Sequence, residues 1–223
     1  MEIGRCDDSI TDKIGEGYYG TVYTLCSKEN GCNYAFKITK EDSREDKLQA
    51  FAAKRGYAPK IFQVIRGDEG LGIIMEKADF TMRDKLDEIV GSTLPIEDQG
   101  AAILEILRGV FMLLVGLLSI GIVHRDVHFG NIVSIEDEWM LIDFGEAVIP
   151  SVPVRKSEYG ILDFNEFVTH TMEFLFEKYG YDIFGNMEII DIFPQARRFL
   201  SEREIAELAG TRESFVIQKS FGL

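Results

Sequence analysis

The sequence predicts an α+β protein in two lobes: a small antiparallel β lobe with one helix over residues 1–76, then a reduced, mainly α-helical lobe over 77–223. Three observations carry this. Up to about residue 76 the apolar residues alternate in short runs broken by glycine-rich turns, the period-2 signature of half-buried strands. From Phe80 onward the period is mainly helical. A glycine cluster, "GEGYYGTV" (15–22), leads into a β-like run rather than a helix.

Each element has its own signal. "SITDKIGEGYYGTVYTLC" alternates into a strand after its glycines, and "NYAFKIT" (33–39) is a second strand. Ser43, with Asp46 three residues on, reads as a capping box for a helix whose apolar face is Leu48, Phe51 and Ala52. "KIFQVIR" and "LGIIMEK", joined by "GDEG", form a hairpin. Helices follow at 81–90 and from Ile96 to about Ser119. "NIVSI" and "WMLIDF" are short strands around an "EDE" turn, and helices over about 159–179 and 201–209 complete the chain.

Composition narrows the function classes. The 46% hydrophobic content and five prolines fit a globular protein. A formal charge of −14 repels nucleic-acid phosphates, so nucleic acid is not expected as a ligand, whereas a basic protein partner is compatible. Cys6, Cys26 and Cys32 are odd in number and lack metal-type spacing, which predicts buried or idle thiols in a reducing compartment. The run from Val110 to Val123 is the most apolar. Extended backwards it meets Arg108 and Glu105, so it reads as a core helix running into a strand, not a membrane span. No signal segment opens the chain, and the expected location is the cytoplasm.

The candidate site residues fall in order. Gly15, Gly17, Gly20 and Val22 fit G-x-G-x-x-G-x-V. Glycines also make plain turns, but no helix follows at once and no G-K-[ST] is present. What remains is a hairpin that lays backbone N–H groups over phosphates. "YAFKI" places Lys37 seventeen positions after Gly20 in an apolar strand, facing either solvent or anionic phosphates. Its ammonium needs a carboxylate. Glu45, Leu48 and Ala52 share one helical face, so Glu45 points toward the body, while Asp46 sits about 100° around and Glu41 precedes the helix. In "HRDVHFGN" (124–131), Asp126 is placed to accept a proton and Asn131, five residues on, to offer an amide oxygen to a metal. Asp143 ends an apolar strand, where a carboxylate calls for a cation.

Taken together, Gly15/Gly17/Gly20, Lys37, Glu45, His124-Arg125-Asp126, Asn131 and Asp143-Phe144-Gly145 resemble the eukaryotic-type protein kinase family over roughly residues 10–150. The resemblance implies a two-lobed kinase fold using ATP and Mg²⁺. It implies that the glycine loop covers the phosphates and that Lys37 contacts them and pairs with Glu45. Asp126 would then be the catalytic base, with Asn131 and Asp143 holding magnesium. Val22 and Ala35 join the nucleotide-binding residues on the same ground. Met75-Glu76-Lys77 resembles the hinge that meets adenine, with Met75 as gatekeeper.

Two departures qualify the resemblance. His128 stands where protein kinases carry a Lys, and H-x-D-x-H-x-x-N is similar to aminoglycoside and choline phosphotransferases. Arg125, which in protein kinases often meets an activation-segment phosphate, supports the protein-kinase side. The segment after Asp143 lacks A-P-E and reaches Asp163, which resembles the kinase F-helix Asp, in twenty residues. The chain thus looks like a minimal kinase, similar to those of large DNA viruses or bacterial effectors, where the cytoplasm would be a host's. The expected activity is transfer of the ATP γ-phosphate to Ser/Thr of a protein, with a protein substrate or activator as partner. Small-molecule phosphotransfer and a kinase-shaped binding module remain as alternatives.

Overall fold

The computed structural model describes residues 9–17, 20–28, 31–39, 44–67, 70–157, 159–179 and 188–220. The chain divides into two compact units, residues 1–80 with 133–147, and residues 81–132 with 148–223. The first unit thus takes in a later segment, 133–147, that a simple cut along the sequence assigns elsewhere.

The first unit is built on a five-stranded antiparallel sheet in the order β1-β2-β3-β5-β4. Its strands are β1 (Ser9–Gly17), β2 (Gly20–Ser27), β3 (Gly31–Thr39), β4 (Ile61–Gly67) and β5 (Gly70–Glu76), with α1 (Glu45–Ala53) between β3 and β4. β5 is apolar nearly throughout and buried on both faces. One face gives a cluster of Ala35, Leu71, Ile73 and Met75, packed by Val22 and Ile61. The other gives Leu25, Tyr34 and Ile74 with Phe36. A Cβ at Gly72 would lie 2.8 Å from the Phe36 ring, so a larger residue there would displace that ring. A three-stranded sheet, β6 (Phe80–Thr81), β7 (Ile132–Ile135) and β8 (Glu138–Leu141), follows in that order. Glu136 and Asp137 between β7 and β8 both have positive φ, 51° and 66°, as a type I′ hairpin turn requires.

Two expectations need correction in this unit. Cys26 and Cys32 form a disulfide rather than idle thiols, their Cα atoms 3.9 Å apart. The cause is register: β2 and β3 pair Ser27 with Gly31, and an irregularity between Leu25 and Ser27 sets the two cysteines across from one another. The expected capping box rests on Ser43, which lies outside the described residues. α1 starts after Arg44, whose side chain makes no cap hydrogen bond, and its buried face is the second correction. Its buried stripe is Glu45, Asp46, Gln49 and Ala52, mostly polar, instead of the Leu48–Phe51–Ala52 face. Asp46 is therefore buried as well as Glu45, because Arg66 of β4 reaches its Oδ2 at 2.6 Å.

The second unit is helical: α2 (Met82–Val90), α3 (Ile96–Ser119), α4 (Leu162–Tyr179), the short α5 (Ile189–Ile192) and α6 (Ala196–Phe199), and α7 (Glu202–Ser220). α2 opens on a capping box between Thr81 and Asp84. α3 is long and apolar enough to cross a membrane by length and composition. It packs Phe111 against Phe164 of α4 and against Phe193, with ring centroids 5.1 and 5.0 Å apart, which gives its apolar side a place in this core. The strand expected directly after α3 does not form among the described residues. Val123 forms a single antiparallel bridge with Val148.

Candidate active site

The first unit gathers the glycines, Lys37, Glu45 and Asp143. In the β1–β2 hairpin Gly17 pairs with Gly20 and Gly15 with Val22; Tyr18 and Tyr19 at the tip lie outside the described residues. Gly20 has no room for a side chain, since a Cβ would collide with the Ile38 carbonyl oxygen. The next strand pairs Val22 with Lys37. Lys37 is buried, and its Nζ donates to Glu45 Oε1 and, at 2.8 Å, to Asp143 Oδ1. Asp143 takes a positive φ of 63°, a conformation that Asp tolerates better than most residues. Burial raises the Glu45 carboxyl above its ordinary 4.5, outweighing the Lys37 charge that pulls it down.

The predicted hinge is partly committed to the chain itself. Ala35 pairs with Met75 in the apolar cluster that includes Val22, and Met75 Sδ accepts from Gln49 Nε2 at 3.2 Å. Glu76 N donates to Lys60 O at 3.0 Å, and Lys77 N to Asn33 O at 3.2 Å. Asp79 N donates to Ser134 O at 2.9 Å. Of these four consecutive N–H groups, only that of Ala78 makes no backbone hydrogen bond among the described residues. Sequence reasoning stopped at Lys77, because strand register decides which amides are taken.

The second unit holds the 124–131 loop, anchored on α4. Asp163 accepts from His124 N (2.8 Å) and Arg125 N (2.9 Å), one bond to each carboxylate oxygen. Glu166 Oε2 accepts from Val127 N at 3.0 Å. Arg125 between them has φ 68°, and its guanidinium lies 5.6 Å from the centre of the Tyr159 ring. Asn131 Nδ2 donates twice to Asp126, to its backbone oxygen at 3.1 Å and to Oδ2 at 2.8 Å. His128 is turned back on the loop: Nδ1 accepts from Gly130 N at 3.0 Å, which places its ring proton on Nε2, 3.8 Å from Asp126 Oδ2. Nothing in the sequence signalled Glu166, since a glutamate on an amphipathic helix reads as a solvated residue.

Burial pushes the Asp163 carboxyl up to about 6, against the two backbone donors that favour its charged form. Its contribution to stability is therefore full below the ordinary 3.8 and is lost as pH rises through about 6. The difference is on the order of 3 kcal/mol. Between pH 4 and pH 7, urea denaturation should show wild-type stability falling by about that much more than the stability of Asp163→Asn, which does not titrate. Parallel curves for the two proteins would refute this.

An α+β unit organised around a buried lysine, together with a helical unit that anchors an H-R-D loop, is the architecture of a protein kinase-type phosphotransferase. The family model described as the protein kinase domain matches residues 9–164, and the chain belongs to that family. It is 30% identical over 143 residues to serine/threonine-protein kinase 4 homolog A of Dictyostelium discoideum. That similarity covers 61% of this chain and 30% of the relative, so the match spans about a third of that relative's length.

Proposed function

We propose that this protein transfers the γ-phosphate of Mg-ATP to a Ser or Thr hydroxyl of a protein. The observation that carries the reading is Lys37, buried in an apolar strand and held by two carboxylates that a purely structural strand would have no cause to assemble. The name of the Dictyostelium relative supports Ser/Thr as acceptor. The net charge of −14 favours a basic protein as substrate or activator.

In this reading the first unit serves the nucleotide. Gly15, Gly17 and Gly20 bring backbone N–H groups to the phosphates, Lys37 neutralises them, and Val22, Ala35 and Met75 offer an apolar surface to adenine. The Glu76 and Lys77 carbonyls and the Ala78 N–H supply the acceptors and donor that adenine's edge requires, since the Glu76 and Lys77 amides are already engaged. The second unit serves the acceptor. Asp126 orients the hydroxyl and takes its proton as the oxygen attacks the γ-phosphorus and the bond to the departing ADP breaks. His128 offers its Nε2 proton to the transferring phosphoryl group in place of a Lys, while Arg125 spends its guanidinium on the face of Tyr159. Asn131 and Asp143 are hard oxygen donors of the kind magnesium takes, and with Asn131 Nδ2 committed to Asp126 it is the amide oxygen that remains for a cation. Magnesium, when bound, neutralises phosphate charge.

The cytoplasm, where ATP is supplied, is the compartment this reading implies. The Cys26–Cys32 bond stands against it, since disulfides persist chiefly in oxidising compartments.

The deciding experiment is transfer of radiolabelled phosphate from ATP to the protein itself, to generic basic proteins, and to a panel of aminoglycosides and choline. Label on protein supports the proposal, and label confined to the small molecules replaces it with the phosphotransferase alternative. Asp143→Asn should retain the fold, because Asn also tolerates φ 63°. It should lose the thermal stabilisation that millimolar Mg-ATP gives the wild type. An unchanged shift in that variant would remove Asp143 from the metal site.

A further inference from the structure

The peptide unit that follows Asp126 is held from both sides. Its carbonyl oxygen accepts from Asn131 Nδ2 at 3.1 Å, and its N–H, that of Val127, donates to Glu166 Oε2 at 3.0 Å. With both ends of this plane bound, rotation about the Asp126 Cα–C bond is restricted, and the carboxylate keeps its direction. Asn131 belongs to the same loop and moves with it. Glu166 is on α4, so it is the group that refers the loop to a rigid element.

The bond also resists replacement by water. Val127 is 1% exposed, so an N–H left without an acceptor there carries a desolvation cost. Asp163 and Glu166, one helical turn apart on α4, together take three of the four amides from His124 to Val127. Between them Arg125 sits at φ 68°, in the left-handed region that a non-glycine residue disfavours. The two carboxylates thus hold the loop around a residue in a disfavoured conformation.

We propose that Glu166 is a positioning residue for phosphoryl transfer: its carboxylate fixes the 126–127 peptide and with it the aim of Asp126 at the acceptor hydroxyl. The proposal rests on the role given to Asp126 above.

The test uses Glu166→Ala and Glu166→Gln in the full chain, read by amide hydrogen exchange over residues 124–131 and by steady-state transfer to a basic protein. In Glu166→Ala the Val127 amide should exchange roughly tenfold faster. Its kcat should fall roughly ten- to a hundredfold with KM for ATP unchanged, as for a misaimed catalytic group. Glu166→Gln keeps an oxygen acceptor and should restore both readouts. If Glu166→Ala does not fold, Glu166→Asp, whose carboxylate falls one methylene short of Val127, takes its place with the same expected losses. An unchanged kcat in the shortened variant, a Gln variant as impaired as it, or a rise in KM for ATP matching the loss in kcat would each overturn the proposal. If the wild type transfers no phosphate, the functional reading fails instead. The exchange experiment then decides the clamp alone, and unaltered Val127 protection in the shortened variant refutes it.

Discussion

Asp126→Asn is expected to bind Mg-ATP as the wild type does and to lose phosphoryl transfer by about 10²–10⁴-fold, the range for removal of a general base. The substitution is close to isosteric, and its effect on structure is small for identifiable reasons. The two backbone amides before Asp126 are held by Asp163, the one after it by Glu166, and its own carbonyl oxygen by Asn131. None of these four bonds involves the Asp126 side chain. The fifth, from Asn131 Nδ2 to Oδ2 at 2.8 Å, survives as a bond to the amide oxygen of an Asn. What disappears is the group that takes a proton. Single-turnover transfer measures the loss and Mg-ATP thermal shift checks that binding is intact. A variant with the wild-type rate would remove Asp126 from the mechanism.

Much of the fold was legible because its signals are local. The alternation of β2 and β3, the "GDEG" hairpin and the long period of α3 each specify an element without reference to the rest of the chain. What sequence reasoning missed depends on partners distant in sequence. Helical phase turned Glu45 inward but put Asp46 off to one side, since phase contains no record of Arg66, twenty residues on, that pairs with Asp46. Cys26 and Cys32 become partners only through the register of β2 with β3. α7 continues to Ser220, well past the expected end near residue 209, and passes through Gly210 and Thr211, two residues of low helix propensity. Thr211 Oγ1 bonds back to Glu207 O at 3.3 Å and to Asn165 Oδ1 at 3.1 Å, contacts that hold the helix where local propensity would end it. Glu166 belongs with these cases: its acceptor role exists only once the loop has been laid over α4.

Lys37→Met should destabilise the protein by roughly 3–5 kcal/mol at neutral pH, the range for removing one partner of a buried ion pair. The substitution preserves the strand and its apolar packing, so the loss is electrostatic. Glu45 is 1% exposed, and burial already raises its carboxyl above the ordinary 4.5 even with the Lys37 ammonium beside it. Without the ammonium that carboxyl rises further, and at neutral pH the fold must either bury an unpaired charge or take up a proton. A group whose folded pKa is raised stabilises fully below its unfolded value and loses that contribution as pH rises through the folded one. The deficit of Lys37→Met relative to the wild type should therefore be largest at pH 8 and shrink toward pH 5. Asp143 also loses its Lys37 contact, but its side chain is 23% exposed and water replaces part of that interaction. Adding Glu45→Gln to Lys37→Met removes the buried charge and should recover most of the lost stability without restoring nucleotide binding. Chemical denaturation of the single and double variants at pH 5 and pH 8 separates these contributions. A deficit equal at both pH values, or a double variant no more stable than Lys37→Met, would show that Lys37 holds this unit together through packing and not through the charge of Glu45.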